Sequence, residues 1–175
     1  MANAALVEEI RQKTRRNIQF SGCSQSVLLA LQEGLGIGDK ASFKAASVLS
    51  AGVARRGETC GALLGALMAV GLFSGRENIE DTEQYNRAMN IAIEISDEFQ
   101  RRLQAEFGFK EPLESTLCRE LQIKIYGCAF NFRDPAEREA FKLAGGHSDK
   151  GCFKVCDIAA SVAAEKLLRL PWTLG

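Results

Sequence analysis

Six cysteines stand beside a single histidine, His147, in a chain of 175 residues, and four of them fall where helices are expected to begin. Cys23 follows Ser21 and Gly22, Cys60 follows Glu58 and Thr59, Cys118 follows Ser115, Thr116 and Leu117, and Cys152 follows the glycine-rich GGHSDKG of residues 145–151. In a first turn the backbone N–H groups lack helical partners and the dipole is positive. A thiolate there is stabilised, and its pKa is expected to fall below the free value of about 8.5. Such cysteines suit metal ligation or nucleophilic chemistry. If the four helix starts meet at one end of a bundle, they form a four-thiolate pocket, with the helix termini and Arg55 and Arg56 placed to offset its charge. The intervening lengths of 36, 57 and 33 residues lack the C-x-x-C spacing of zinc fingers and ferredoxins. Convergence must therefore come from the fold; otherwise these are small residues filling helix contacts.

The other reactive residues are harder to place. Cys156 lies one turn after Cys152 on the same helix face, so their Cβ atoms should be about 6 Å apart; it reads either as core filling or as a neighbouring ligand. Cys128, in YGCAF, reads as a buried spacer outside the site. His147, five residues before Cys152, reads as a surface loop residue unless it reaches a metal or donates a proton beside the thiolates. Arg15 with Arg16, and Arg55 with Arg56, fit solvated helix ends. Asp134, Glu137 and Glu139 read as a charged helix start around Pro135, with no catalytic part. A single histidine excludes histidine-rich metal sites, and no phosphate-binding glycine loop, GxSxG elbow, HExxH or EF-hand loop occurs.

The elements that must position these cysteines are helices. Apolar residues recur at three- and four-residue steps, and no alternating run is long enough for a strand. The fold expected is all-α: a compact multi-helix bundle of about seven or eight helices, in a single domain over 1–175. Within 81–107, Tyr85, Met89, Ala92, Ile95, Phe99 and Leu103 mark one face of a helix about 40 Å long, stopped by Gly108. The other expected helices are Ala4–Thr14, Gly22–Glu33, Ser42–Val53, Thr59–Phe73, Thr116–Tyr126, Pro135–Leu143 and Gly151–Arg169. Gly57, Gly61, Gly65 and Ala69 lay a smooth stripe along the helix that follows Cys60, where another backbone can approach closely, and suggest that it is the central element.

Composition narrows the function. Apolar residues make up 46% and charged residues 25%, which is ordinary for a folded domain and rules out a disordered or collagenous chain. Lys plus Arg and Asp plus Glu both total 22, so no global field recruits nucleic acid or an anionic membrane. The most apolar run, from Cys60 to Phe73, has 14 residues, short of the roughly 20 a membrane-spanning helix needs. The N-terminal residues, with Glu8 and Glu9, look like neither a secretory signal nor a transit peptide, so the expected location is cytoplasmic. In a reducing compartment six cysteines fit metal ligation or redox chemistry better than a disulfide framework.

CGALLG at Cys60–Gly65, with Cys23 in GCSQSVLLAL upstream and Cys118 in CREL and Cys152 downstream, resembles the C_GCAxxG_C_C family of redox-active proteins. The resemblance runs from about Cys23 to Leu168. It implies a small, all-helical bacterial or archaeal redox protein whose family cysteines correspond to Cys23, Cys60, Cys118 and Cys152, with Cys128 and Cys156 as departures. It is also similar to a domain of split-Soret cytochromes, and that likeness implies an iron–sulfur cluster, of the [2Fe–2S] type, on the same four cysteines. No C-x-x-C-H occurs, so no haem is expected.

Two readings follow, and between them the question of enzyme or carrier stays open. One is an electron-transfer or redox-sensing protein holding an iron–sulfur cluster, with zinc the weaker alternative, through those four cysteines, where Leu63, Leu64 and Leu67 form an apolar wall; its partner is an unknown redox protein. The other is a metal-free thiol–disulfide oxidoreductase in which Cys60 attacks and Cys152 or Cys118 resolves. A helical interaction module with incidental cysteines, pairing as a homodimer through a bundle face, is a third.

Overall fold

The structure, a computed structural model, describes residues 2–171. Helix is the regular element throughout: α1 (Ala2–Ile18), α2 (Cys23–Leu35), α3 (Lys40–Ala45) running into a 3-10 turn (Ala46–Leu49), α4 (Gly61–Ser74), α5 (Thr82–Phe107), α6 (Cys118–Tyr126), α7 (Pro135–Leu143) and α8 (Cys152–Leu167). Among the described residues the only extended pairing is an isolated antiparallel bridge between Thr59 and Leu117. The starts of α5 and α7 follow local capping chemistry. The Asp81 and Asp134 carboxylates each accept a first-turn amide at 2.8 Å, from Gln84 and Ala136. The start expected at Asp134 and Pro135 is therefore present.

The core is built by α1, α2, α4, α5 and α8. α8 is the most enclosed: Val155 through Ala164 are all buried. Its alanines leave room for α1, α2, α4 and α5 to close around it. It shares the centre with α4, the helix whose smooth stripe suggested a central place. That stripe works as expected: a Cβ on Gly65 would collide with the Ser24 carbonyl, so α2 lies directly against the α4 backbone. Ile95, Phe99 and Leu103 of α5 are buried at four-residue steps. Tyr85 and Met89, expected on the same buried face, are 43% and 42% exposed because the first turns of α5 extend past the core.

Three part-buried ion pairs hold the outer helices on α8. Asp157 accepts from Arg11 at 2.7 Å and Arg15 at 2.8 Å, joining α1 to α8. Arg102 pairs with Glu165, joining α5 to α8. No helix is long and apolar enough to cross a membrane among the described residues.

The expected helix Ser42–Val53 does not form as one piece. α3 starts on an Asp39–Ser42 capping box, tightens into the 3-10 turn, and breaks at Ser50, which is extended at ψ 157°. Ala51, Gly52, Val53, Ala54 and Arg55 then all have positive φ, between 51° and 68°. Only glycine fits at Gly52, where a Cβ would lie 2.5 Å from the Glu58 nitrogen and 2.6 Å from the Gly57 carbonyl carbon. The chain crosses itself there, closed by the Gly57 and Glu58 amides donating to Ala51 O at 3.2 Å and Gly52 O at 2.9 Å.

A second, smaller apolar cluster joins Cys118, Phe132 and Phe141 to Tyr126, Phe130 and Cys152. It covers one end of the bundle, and the functional site lies at its seam with the main core.

Candidate functional site

Four helix starts carry the expected cysteines. Cys23, Cys118 and Cys152 are the first residues of α2, α6 and α8, and Cys60 caps α4. Two of these starts are bound together by backbone. The Cys60 N–H donates to Thr116 O at 2.9 Å and the Cys118 N–H to Glu58 O at 2.6 Å, on either side of the Thr59–Leu117 bridge. Cys23 is brought in by the close approach of α2: a Cβ on Gly61 would sit 2.5 Å from Cys23 Sγ. Cys152 is fixed from the far end of α6, where its N–H donates to the Tyr126 hydroxyl at 3.0 Å.

The result is one cavity of about 570 Å³ lined by Cys23, Cys60, Cys118 and Cys152. Cys156, one turn along α8, lines it with them, and Cys128 is exposed and lies outside. Cys60 and Cys118 are 5% and 8% exposed, so the sulfurs are recessed. Cys128 is not the buried spacer expected.

Each family-type sulfur has polar neighbours of its own. The Tyr126 hydroxyl lies 3.6 Å from Cys152 Sγ. Gln122, almost wholly buried, donates from Nε2 to Cys118 Sγ at 3.3 Å, and its orientation is settled because Oε1 accepts the Phe130 N–H at 2.7 Å. The amides of Ala51 and Ser24 and the hydroxyl of Ser50 surround Cys23, and the Leu63 and Ala62 amides of the first turn of α4 face Cys60.

These donors do not make the thiols acidic, contrary to the expectation from helix starts alone. Burial pushes the Cys60 thiol far above its ordinary value, and the neighbouring Cys23 and Cys152 push it further. Burial and then Cys60, Cys152 and Cys23 do the same to Cys118. Cys152 is pushed up to about 12 by burial, against the pull of the Tyr126 hydroxyl. Cys23 is raised by burial despite its donors, and Cys156 likewise by burial and the same neighbours. The reason is collective: desolvation and mutual repulsion of clustered sulfurs outweigh a dipole that acts on each alone. The cavity thus favours neutral thiols.

The wall is aromatic rather than the expected Leu63, Leu64 and Leu67, which do not line it. Phe132 and Phe141 form it with Ile18 and Val155. The Phe141 ring meets Tyr126, Phe130, Phe132 and His147 edge to face, at centroid separations of 4.9–5.7 Å. His147 faces the cavity, stacked on Phe153 at 5.8 Å, and burial followed by the Lys142 charge lowers its pKa. No signal in the sequence pointed to this wall, because its residues lie in three separate segments. Among the described residues no three His, Cys, Asp or Glu side chains are grouped as ligands of a single metal ion.

A family model described as "Putative redox-active protein (C_GCAxxG_C_C)" matches residues 21–166, a span that takes in all six cysteines. No curated protein and no solved structure matches the chain.

Proposed function

Because the chain belongs to the C_GCAxxG_C_C family of redox-active proteins, we propose that the cysteine cavity is its redox centre, where Cys23, Cys60, Cys118 and Cys152 hold an iron–sulfur cluster of the [2Fe–2S] type for electron transfer or redox sensing. The observation that carries this reading is the meeting of four sequence-distant cysteines, each at a helix start, around one cavity.

The donor set suits such a cluster. Clustered thiols that resist ionising one by one are a demanding set for any ligand but a multivalent cation, and soft thiolates select iron–sulfur clusters, zinc or copper(I). Zinc, the weaker alternative, draws on the same soft thiolates, and among the described residues no three His, Cys, Asp or Glu side chains are grouped to hold a single ion. A bound cluster supplies one-electron transfer. The protein's own residues do the rest: Tyr126, Gln122 and the Ala51 amide donate toward the sulfurs, and Phe132 and Phe141 give the cavity an apolar wall. The strongly raised, 5% exposed Cys60 thiol runs against a metal-free oxidoreductase that attacks through Cys60.

Metal and acid-labile sulfide analysis of protein purified without air tests the reading. About two irons and two sulfides per chain, with visible charge-transfer absorption, are expected. Colourless protein that takes up no iron when supplied with iron and sulfide would overturn it.

A further inference from the structure

The chain as a whole is neutral, with 22 basic and 22 acidic residues, yet the cysteine cavity is not. Its lining includes Arg55, Arg138 and Lys142 and no aspartate or glutamate. Lys142 is paired with the exposed Glu139 at 3.0 Å, and Arg138 donates to the Phe132 carbonyl at 2.9 Å. Arg55 is exposed and has no side-chain partner among the described residues.

Arg55 also sits at the end of the left-handed turn, where four non-glycine residues, Ala51, Val53, Ala54 and Arg55, hold φ between 51° and 63°. A left-handed conformation is sterically unfavourable for such residues. Strain of this kind persists where the surroundings enforce it, and it clusters at functional sites. Here one strained turn both sets the Ala51 amide at Cys23 and carries Arg55 to the cavity.

Resting on the reading of the cysteines as a redox centre, we propose that the mouth of this cavity is an anion-selective port, where Arg55, with Arg138 and Lys142 beside it, receives the carboxylate of a small redox reactant. The cavity, at about 570 Å³, is within the usual range for small-molecule sites, about 300–1,000 Å³. Phe20 and Val48, 88% and 67% exposed on its lining, offer apolar contact to the body of such a molecule. Cations of one sign around a low-dielectric recess concentrate anions and raise their encounter rate.

Thiol modification of the full-length, reduced, metal-free protein tests the port, with Cys128→Ala as background to remove the exposed thiol. Three disulfides serve as probes: dithiobis(nitrobenzoate), an anion; dithiodipyridine, neutral; and cystamine, a cation. Each reaction forms one mixed disulfide with a protein sulfur and breaks the reagent's S–S bond. The other half leaves as a thiolate, and the protein's proton passes to it or to water. The anion-to-neutral rate ratio should fall roughly tenfold in Arg55→Glu, and in the parent between about 0.01 M and 1 M salt, while the cystamine ratio moves the opposite way. Arg87→Glu, on α5 away from the cavity, should leave both ratios in place. Ratios indifferent to Arg55→Glu, or changed equally by Arg87→Glu, overturn the port and leave the redox centre standing. Cavity thiols inert to all three probes overturn the port, and a protein that in addition takes up no iron overturns both.

Discussion

The sulfur of Cys23 occupies the space a side chain on Gly61 would need: a Cβ there would lie 2.5 Å from Sγ, 3.0 Å from Leu49 O and 3.1 Å from Ser50 Cα. The glycine beside Cys60 therefore sets how closely α2 and its cysteine approach α4.

Gly61→Ala separates site from helix. An alanine gains about 1 kcal/mol of intrinsic helix stability over glycine, but the overpacking costs about 1–3 kcal/mol. Urea unfolding should show net destabilisation of at most about 2 kcal/mol, with iron retention lost well before the fold. Full iron content in a stably folded Gly61→Ala would contradict the role given to this contact.

The cysteines should not be equivalent. Cys60→Ser and Cys118→Ser should abolish iron and sulfide retention, because each removes a recessed donor at a helix start. Cys128→Ser should have no effect, since that residue is exposed and outside the cavity. Cys156→Ala should retain the cluster at lower occupancy, for its sulfur lines the same cavity. Equal losses from Cys128→Ser and Cys60→Ser would sink the assignment.

Tyr126 accepts the Cys152 amide proton and directs its own hydroxyl at the sulfur. With that donor removed in Tyr126→Phe, the Cys152 thiol should be pushed up further, since the Tyr126 hydroxyl is what pulls it down against burial. The reduction potential of the loaded protein should drop, because the reduced, more negative centre gains most from hydrogen bonds to its sulfurs. The fold should lose about 1 kcal/mol. Protein-film voltammetry and the pH profile of Cys152 alkylation read the two effects, and an unchanged potential would argue against a donor role.

Asp157 supplies a pH test of the fold independent of the site. Burial pushes its carboxyl up, but hydrogen bonds from Arg11 and Arg15 outweigh that and hold it below the usual range. Its folded pKa lies below its unfolded value of about 3.9, so its ionised form stabilises the native state fully above about pH 5 and progressively less as pH falls through the folded value. Asp157→Asn should cost about 1–3 kcal/mol at neutral pH, limited because both arginines are partly exposed and can rehydrate. The difference should shrink below about pH 3. A cost independent of pH in urea titrations would show that packing, not charge, is what Asp157 contributes.

What the amino-acid sequence determined by itself was local. Helix identity, the breaks at Gly108 and Asp134, and the placing of Cys23, Cys60, Cys118 and Cys152 at helix starts all follow from apolar periodicity and from the glycines and polar residues that bound each segment, signals that act within a few residues. The left-handed turn after Ser50 escaped the pattern, since nothing local demands positive φ at Val53 or Arg55; the crossing of the chain over Glu58 imposes it. Only the tertiary structure could decide that the four starts meet, that Cys156 joins them, that Phe132 and Phe141 wall the cavity, and that cations but no acids line it. It also reversed the sign of the thiol shifts. A helix dipole can be read from one segment, whereas desolvation and repulsion depend on how many sulfurs the whole fold gathers into one place.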